Sequence, residues 1–350
     1  MTPKFSKIET DTLRGLAILA VVFHHDLLWM ANTLLAVSLK KSVAFYGLNA
    51  IAKFLQPVRL PLFTILSGML YALKPVSTGT VQPFMQGKIR RILIPLFCIS
   101  TLKFFEIYLI RGELSAPPWD NVGIDGPEDF WKMWFFHFGH LWFLQAIFII
   151  FVTIMLVDLL GLMNNLKAWL GWLAFLTILP IVYDVGTFFS VGGASNLIVF
   201  FFFGAGLTRF RETIFQPRVM AWAWLGTITG MAVYVVWQLK WLHFNDTGER
   251  LILVFVGLLG ALCLLSLRFK FAWLAKIGAY SYTIYLFHVI IFESHLLFDS
   301  LLAHGPLGQF LWFAMMLVFA VSGSIAIDKF FSRIPVLRTL LLGKKTVTEQ

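Results

Sequence analysis

The sequence predicts an all-α, polytopic integral membrane protein with about ten transmembrane helices and no soluble domain. Three observations support this: 59% of the residues are hydrophobic, only 13% are charged, and long apolar stretches follow one another with short connections. A soluble domain usually has about a quarter of its residues charged. Most of these 350 residues therefore face lipid or other helices.

One bilayer crossing needs about 20 apolar residues, so the chain has room for about ten crossings and little else. We expect a single transmembrane domain over residues 1–350, with a core of about 10–330 and a cytoplasmic tail at 331–350. The first span has no small-residue cleavage site, so we expect it to be retained. The spans expected from hydropathy are 13–35, 53–73, 91–111, 139–160, 168–187, 194–208, 219–241, 250–267, 277–298 and 307–328.

The net charge of +10 reflects the orientation of the spans in the membrane, because the basic residues alternate with apolar stretches. Most of the 28 Lys and Arg lie in segments that are cytoplasmic if the N-terminus is inside. We therefore expect both termini in the cytoplasm and no nucleic-acid partner. We also expect the membrane to be an inner membrane as in bacteria. The connection after the third span is expected outside, and its acidic residues are Glu113, Asp120, Asp125, Glu128 and Asp129.

The two cysteines, Cys98 and Cys263, both lie in apolar stretches. They indicate neither a disulfide framework nor a Cys-based metal site. We expect no bound cofactor and no metal. Any chemistry must then come from ionisable side chains among the spans, where such groups are costly and usually functional.

The first span carries Arg14, His24, His25 and Asp26. At 100° per residue, the eleven residues from Arg14 to His25 return to within about 20° of one helix face, with His25 about 16 Å deeper. His24 lies about 80° away from that face. A histidine at this depth suits a general base, an arginine at the cytoplasmic mouth suits a phosphate-bearing donor, and Asp26 is expected to orient an imidazole or balance its charge.

The alternative for Arg14 and His25 is structural: a histidine hydrogen-bonded between helices and an arginine that anchors the span at the interface. Asp26 argues against this alternative, because packing does not explain three adjacent ionisable residues in one span.

Several segments together resemble the acyltransferase-3 membrane family. An Arg followed by ten residues and a His in the first span is that family's hallmark, and four further segments resemble its second, third, fourth and ninth spans in the same order. The four segments are Pro61–Gly68, Lys88–Pro95, His140–Leu144 and Ser281–His288.

The resemblance implies transfer of an acyl group, acetyl by default, from acyl-CoA to a hydroxyl of a cell-surface or lipid-linked carbohydrate. It implies that His25 is the catalytic histidine, as base or transient acyl carrier, and that Arg14 is a partner on the donor side. Because His24 and His25 are adjacent, this assignment depends on the register. Lys88, Arg90 and Arg91 become candidate donor-binding residues, although basic residues at a helix end also serve as topology anchors.

The remaining candidates are polar or aromatic residues of the other matching segments. Tyr285 and His288 are three residues apart and share a helix face, which suits either a sugar site or an interhelical hydrogen-bond ladder. The predicted acceptor or pocket residues are Ser67, His140, Trp142, Ser281, Tyr282, Tyr285 and His288.

Two other functional classes fit polar groups inside spans. A transporter or flippase for a polar or lipid-linked substrate is the main alternative, and no internal repeat is visible to support it. A haem or copper protein would need facing histidines on different helices. The oligomeric state is not predicted.

Overall fold

The computed structural model describes residues 5–36, 38–105, 127–183 and 186–345, and within these ranges it is all-α without a strand. The acidic residues Glu113, Asp120 and Asp125 lie outside the described residues. The helices are α1 Lys7–Ala36, α2 Val43–Leu55, α3 Arg59–Ala72, α4 Val81–Lys88, α5 Ile94–Phe105, α6 Lys132–Phe135, α7 Trp142–Leu159, α8 Leu166–Val182, α9 Val191–Arg209, α10 Arg211–Ile214, α11 Pro217–Gln238, α12 Asp246–Ser266, α13 Ala272–Ala279, α14 Ser281–Phe292, α15 Gly305–Phe331 and α16 Pro335–Leu340.

The all-α membrane fold is confirmed, but the described helices do not give ten full crossings. By length and composition six can cross a membrane, or seven if α13 and α14, bent by 74°, form one span. The six are Lys7–Leu35, Lys132–Leu159, Phe188–Arg209, Pro217–Gln238, Asp246–Ser266 and Asp299–Phe331.

Prolines account for much of the difference, because a proline lacks the N–H that continues a helix. The expected second span is divided between α2 and α3 at a turn that contains Pro57. The expected third span, 91–111, begins with a π-helical segment, Ile89–Leu93, just before Pro95, and its residues 106–111 lie outside the described residues. The expected fifth span is the shorter apolar helix α8, with Pro180 inside it.

The chain forms two compact units. The first comprises Met1–Leu66 and Phe210–Ile327, and the second comprises Ser67–Arg209 and Asp328–Gln350.

In the first unit, α1 packs closely against α13. A capping box starts α1: the Ser6 N–H donates to the Glu9 carboxylate at 2.7 Å, and the Glu9 N–H donates to the Ser6 hydroxyl at 3.3 Å. A Cβ at Gly15 would collide with the Leu274 carbonyl, and one at Gly278 with the Asp11 carbonyl. These two glycines allow the backbones to touch, which fixes the position of α1 beside the chain that leads into α14.

In the second unit, α7, α8 and α9 pack together around two polar contacts. Trp169 on α8 donates to the Phe202 carbonyl on α9 at 2.9 Å. Arg209 donates to both oxygens of Asp158, at 2.8 and 2.6 Å, and Tyr71 donates to the same carboxylate at 2.7 Å. These contacts tie α3, α7 and α9 together at one end.

Candidate active site

The centre of the candidate site is a pair of histidines in the first unit. His25 Nδ1 on α1 lies 2.9 Å from His288 Nε2 on α14, and their ring centroids are 5.0 Å apart. His288 is fully buried, whereas His25 is only half-buried. The structure therefore brings two separately predicted residues together and leaves the first of them accessible.

Hydrogen bonds of His288 decide which nitrogen carries each proton. His288 Nδ1 lies 2.9 Å from the carbonyl oxygens of both Ile284 and Tyr285, and a carbonyl can only accept. Nδ1 therefore carries the proton, and in a neutral His288 the Nε2 accepts. His25 must then donate from Nδ1, which places its remaining lone pair on Nε2. This is the tautomer that a general base at His25 needs.

The position of His288 depends on a break in the helix. The chain turns by 74° between α13 and α14, and Ser281, Tyr285 and His288 then follow on α14 as buried residues. The His288 ring packs edge-on against Phe292, with centroids 5.8 Å apart. Packing and two backbone carbonyls thus hold this imidazole in one orientation.

His24 lies beside the pair without joining its hydrogen bonds. Its ring centroid is 5.6 Å from that of His25. Within the described residues His24 forms no hydrogen bond. This difference supports the choice of His25 that the helix-face geometry favours.

Arg14 is held at the start of α1 by an acidic neighbour. Its Nη1 lies 3.4 Å from Asp11 Oδ1, and Asp11 also receives Lys7 at 3.4 Å. About a third of the Arg14 side chain, 34%, remains exposed. Arg14 thus keeps an accessible guanidinium on the predicted donor side of His25.

Asp26 is placed differently from the expectation. It is fully buried, and neither of its carboxylate oxygens has a hydrogen-bond partner in the part of the chain that the structure describes. Neither imidazole is therefore oriented by Asp26 here. Its role as a catalytic residue stays a prediction.

The candidate donor-binding residues belong to the second unit, where α4 meets the π-helical segment. Lys88 Nζ lies 3.2 Å from the centre of the Phe151 ring, which is a cation–π contact. Arg90 Nε donates to the Gly343 carbonyl at 3.4 Å, so the chain after α16 lies against these basic residues. Arg91 is exposed.

The second unit also holds Ser67, His140 and Trp142. Ser67 is half-buried on α3, and His140 is buried just before α7. Trp142 stacks on the His137 ring, with centroids 5.3 Å apart and an interplanar angle of 18°. The basic residues and these three residues stay predictions as donor and acceptor contacts.

Sequence reasoning missed a buried glutamine in this region. Gln145 is 1% exposed and donates to the carbonyls of Trp134 and Phe136 at 2.8 and 3.1 Å, while Ser190 donates to its side-chain oxygen. Ser190 has a φ of 52°, which is strained for a serine. An isolated Gln in an apolar run was the available signal, since buried polar groups in a membrane must be satisfied internally.

Sequence reasoning also missed Arg59, which is not among the predicted site residues. It lies at the start of α3 in the wall of an apolar cavity of about 240 Å³ in the first unit. Other wall residues come from α1, α2, α11 and α12. Within the described part of the chain Arg59 has neither an ion pair nor a hydrogen bond.

Comparison with known proteins identifies one match. A family model described as an acyltransferase domain, of the acyltransferase-3 type, matches residues 8–329. No curated protein and no solved structure matches the chain.

Proposed function

The chain belongs to the acyltransferase-3 family and is a multi-pass membrane acyltransferase, and from this premise we propose that it transfers an acyl group from acyl-CoA to a carbohydrate hydroxyl. The acceptor is a sugar of a cell-surface or lipid-linked glycan. Acetyl-CoA is the simplest donor. His25 is the catalytic base in this proposal.

The observation that carries the proposal is the pair formed by His25 and His288. A 2.9 Å contact between imidazoles, one of them anchored by two carbonyls, directs the basic nitrogen of His25 away from His288. An isolated interhelical histidine would not need this fixed tautomer. General-base catalysis by a positioned side chain contributes about 10²- to 10⁴-fold in rate.

In the direct route, the sugar hydroxyl gives its proton to His25 Nε2 as its oxygen attacks the thioester carbonyl. The new C–O bond forms, the C–S bond breaks, and the proton passes from His25 to the departing thiolate of CoA. His288 accepts the Nδ1 hydrogen bond throughout and stabilises the imidazolium. In the covalent route, His25 Nε2 attacks the thioester carbonyl, so that a C–N bond forms, the C–S bond breaks and CoA leaves as a thiolate. The sugar oxygen then attacks the acyl group, the C–N bond breaks, and the hydroxyl proton passes to the CoA thiolate.

Basic residues are proposed to bind the donor. CoA carries several phosphate charges, and a guanidinium binds phosphate through two parallel hydrogen bonds. Arg14 has the accessible guanidinium needed, and Lys88, Arg90 and Arg91 form a basic cluster at the junction of α4 and the π-helical segment.

Polar residues on α14 and in the second unit are proposed to contact the acceptor. Tyr285 lies beside His288, with ring centroids 6.3 Å apart. Tyr282, Ser67, His140 and Trp142 are proposed for the same role. Tyrosine and tryptophan combine an apolar ring with a polar group, which suits a sugar ring and its hydroxyls. From the charge distribution we further propose that both termini lie in the cytoplasm. A bacterial inner membrane is proposed from the family alone.

Mass spectrometry of surface glycans tests this proposal. Cells that contain the protein should carry an acyl mass increment on a glycan, and cells without it should not. The same increment should appear when purified protein in liposomes receives labelled acyl-CoA and that glycan. Movement of unmodified glycan across the membrane, without a mass change and without CoA release, would instead favour the transporter.

A further inference from the structure

The cavity beside Arg59 has features of a chain-binding site. Its volume is about 240 Å³, and its walls include Ala17, Ala20, Trp224, Met231 and Gly260. Two other polar residues in the wall, Thr227 and Cys263, contact each other at 3.2 Å, and Thr227 also donates to the Ala223 carbonyl at 2.7 Å. Apart from Arg59, the cavity therefore offers an apolar surface.

Arg59 gives this apolar space a polar end. A cation away from water is expensive unless an opposite charge or a strong acceptor faces it. No ion pair or hydrogen bond of Arg59 exists within the described residues, yet its side chain is only partly exposed. The cavity thus suits a ligand with an oxygen that accepts from a guanidinium and with an apolar remainder.

The cavity lies next to the catalytic histidine along α1. Ala17, Ala20 and His24 are three and seven residues apart, so they share one helix face. His24 lies one helical turn beyond Ala20, and its ring centroid is 5.6 Å from that of His25. A ligand in the cavity is therefore about one helical turn from the histidine pair along α1.

The depth of the cavity argues against a phospholipid headgroup. Its α1 residues lie about 14 to 20 Å along the helix from Lys7, which is inside the hydrocarbon region. Lipid phosphates stay at the bilayer surface, whereas a thioester that His25 serves must enter the hydrocarbon region, because His25 lies about 27 Å along α1 from Lys7. The oxygen that fits Arg59 is then the thioester carbonyl, which gains negative charge during transfer.

We propose that this cavity binds the acyl chain of the donor, with the thioester carbonyl at Arg59, and that the preferred acyl group is longer than acetyl. The inference rests on the proposed acyl-CoA donor. Each additional buried methylene strengthens binding, so a chain that fills the cavity binds better than an acetyl group that leaves it empty.

The test uses the purified full chain and octanoyl-CoA with a photoreactive diazirine at the end of its chain. Light should attach the probe to cavity residues of α11 and α12, such as Met231. Unlabelled octanoyl-CoA should suppress labelling at a concentration about tenfold lower than acetyl-CoA does.

Gly260→Leu sharpens the test because position 260 points into the cavity: a Cβ there would lie 3.8 Å from Val58 and 4.0 Å from Thr227. The apparent affinity of this variant for octanoyl-CoA should fall about tenfold, whereas its apparent affinity for acetyl-CoA should stay the same. Gly47→Leu is the matched control, because a Cβ at Gly47 meets nothing within 4 Å. If Gly260→Leu does not assemble, Gly260→Ala should show a smaller loss of the same selectivity.

Variants of Arg59 test the contact with the thioester carbonyl separately from binding of the acyl chain. Arg59→Gln should weaken the binding of both donors to a similar extent, and Arg59→Lys should retain more binding than Arg59→Gln.

Equal competition by the two donors, with no effect of Gly260→Leu, would overturn the inference and leave the proposed function intact. Suppression of labelling by phosphatidylglycerol vesicles but by neither acyl-CoA would mean that the cavity binds lipid, and would overturn the inference. Binding of neither donor by any assay would contradict the proposed function itself.

Discussion

Two buried carboxylates, one in each unit, have opposite surroundings. Asp158 in the second unit accepts two hydrogen bonds from Arg209 and one from Tyr71. Asp26 in the first unit is fully buried without a hydrogen-bond partner within the described residues, and Arg59 in the same unit has no acceptor there either. Satisfied polar groups hold helices together, whereas unsatisfied ones are retained at a cost to stability, which is typical of a functional site.

Asp158→Ala should have the largest effect on stability. It removes the carboxylate and leaves Arg209, whose side chain is 18% exposed, without its ion-pair partner. Breaking one side of such a buried pair costs about 3–5 kcal/mol. Thermal unfolding in detergent should show a clear drop in midpoint, and an unchanged midpoint would mean that the contact is not structural.

His288→Phe should have the next largest effect, on activity. The variant keeps the volume of a ring but removes the nitrogen that accepts from His25. Loss of such an orienting partner costs about 10- to 100-fold in activity. His288→Gln, whose side-chain oxygen also accepts, should recover part of the rate and so exclude a purely steric role. Equal activities of His288→Phe and His288→Gln would contradict the role of His288 as a hydrogen-bond acceptor.

Asp26→Asn should change stability little or increase it, by about 1 kcal/mol at most, because it replaces a buried carboxyl group that has no partner among the described residues by an amide of the same size. Unfolding midpoints of this variant and Asp158→Asn provide the comparison. A loss at Asp26 as large as that at Asp158 would contradict the distinction between the two carboxylates.

Lys344→Ala should have the smallest effect. Lys344 contacts Asp328 at 2.7 Å and Ser332 at 3.0 Å, but its side chain is 40% exposed, so solvent screens the pair. Exposed ion pairs contribute about 0–1 kcal/mol. The unfolding midpoint should move slightly, and the shift should decrease in high salt.

Much of the site was predictable within single helices and little of it between helices. Arg14 and His25 fall on one helix face because eleven residues complete about three turns of an α-helix. Composition alone predicts the membrane fold. The contact of His25 with His288 joins residues 263 positions apart, which no local pattern encodes. Arg59 lies inside the expected second span, 53–73, and hydropathy does not reveal that the helix restarts there after Pro57. The turn at Pro57 likewise explains why the hydropathy peak over 53–73 corresponds to two helices among the described residues.

The most direct test of the central claim is a paired measurement of acyl transfer by His25→Ala and His24→Ala, each reconstituted in liposomes with labelled acyl-CoA and the acceptor glycan. His25→Ala should lose transfer by at least about 10²-fold while the protein still assembles, because the base is gone. His24→Ala should retain most of its activity, since His24 lies outside the hydrogen bonds of the pair. Full activity of His25→Ala, or equal loss in both variants, would contradict the assignment of His25 as the base.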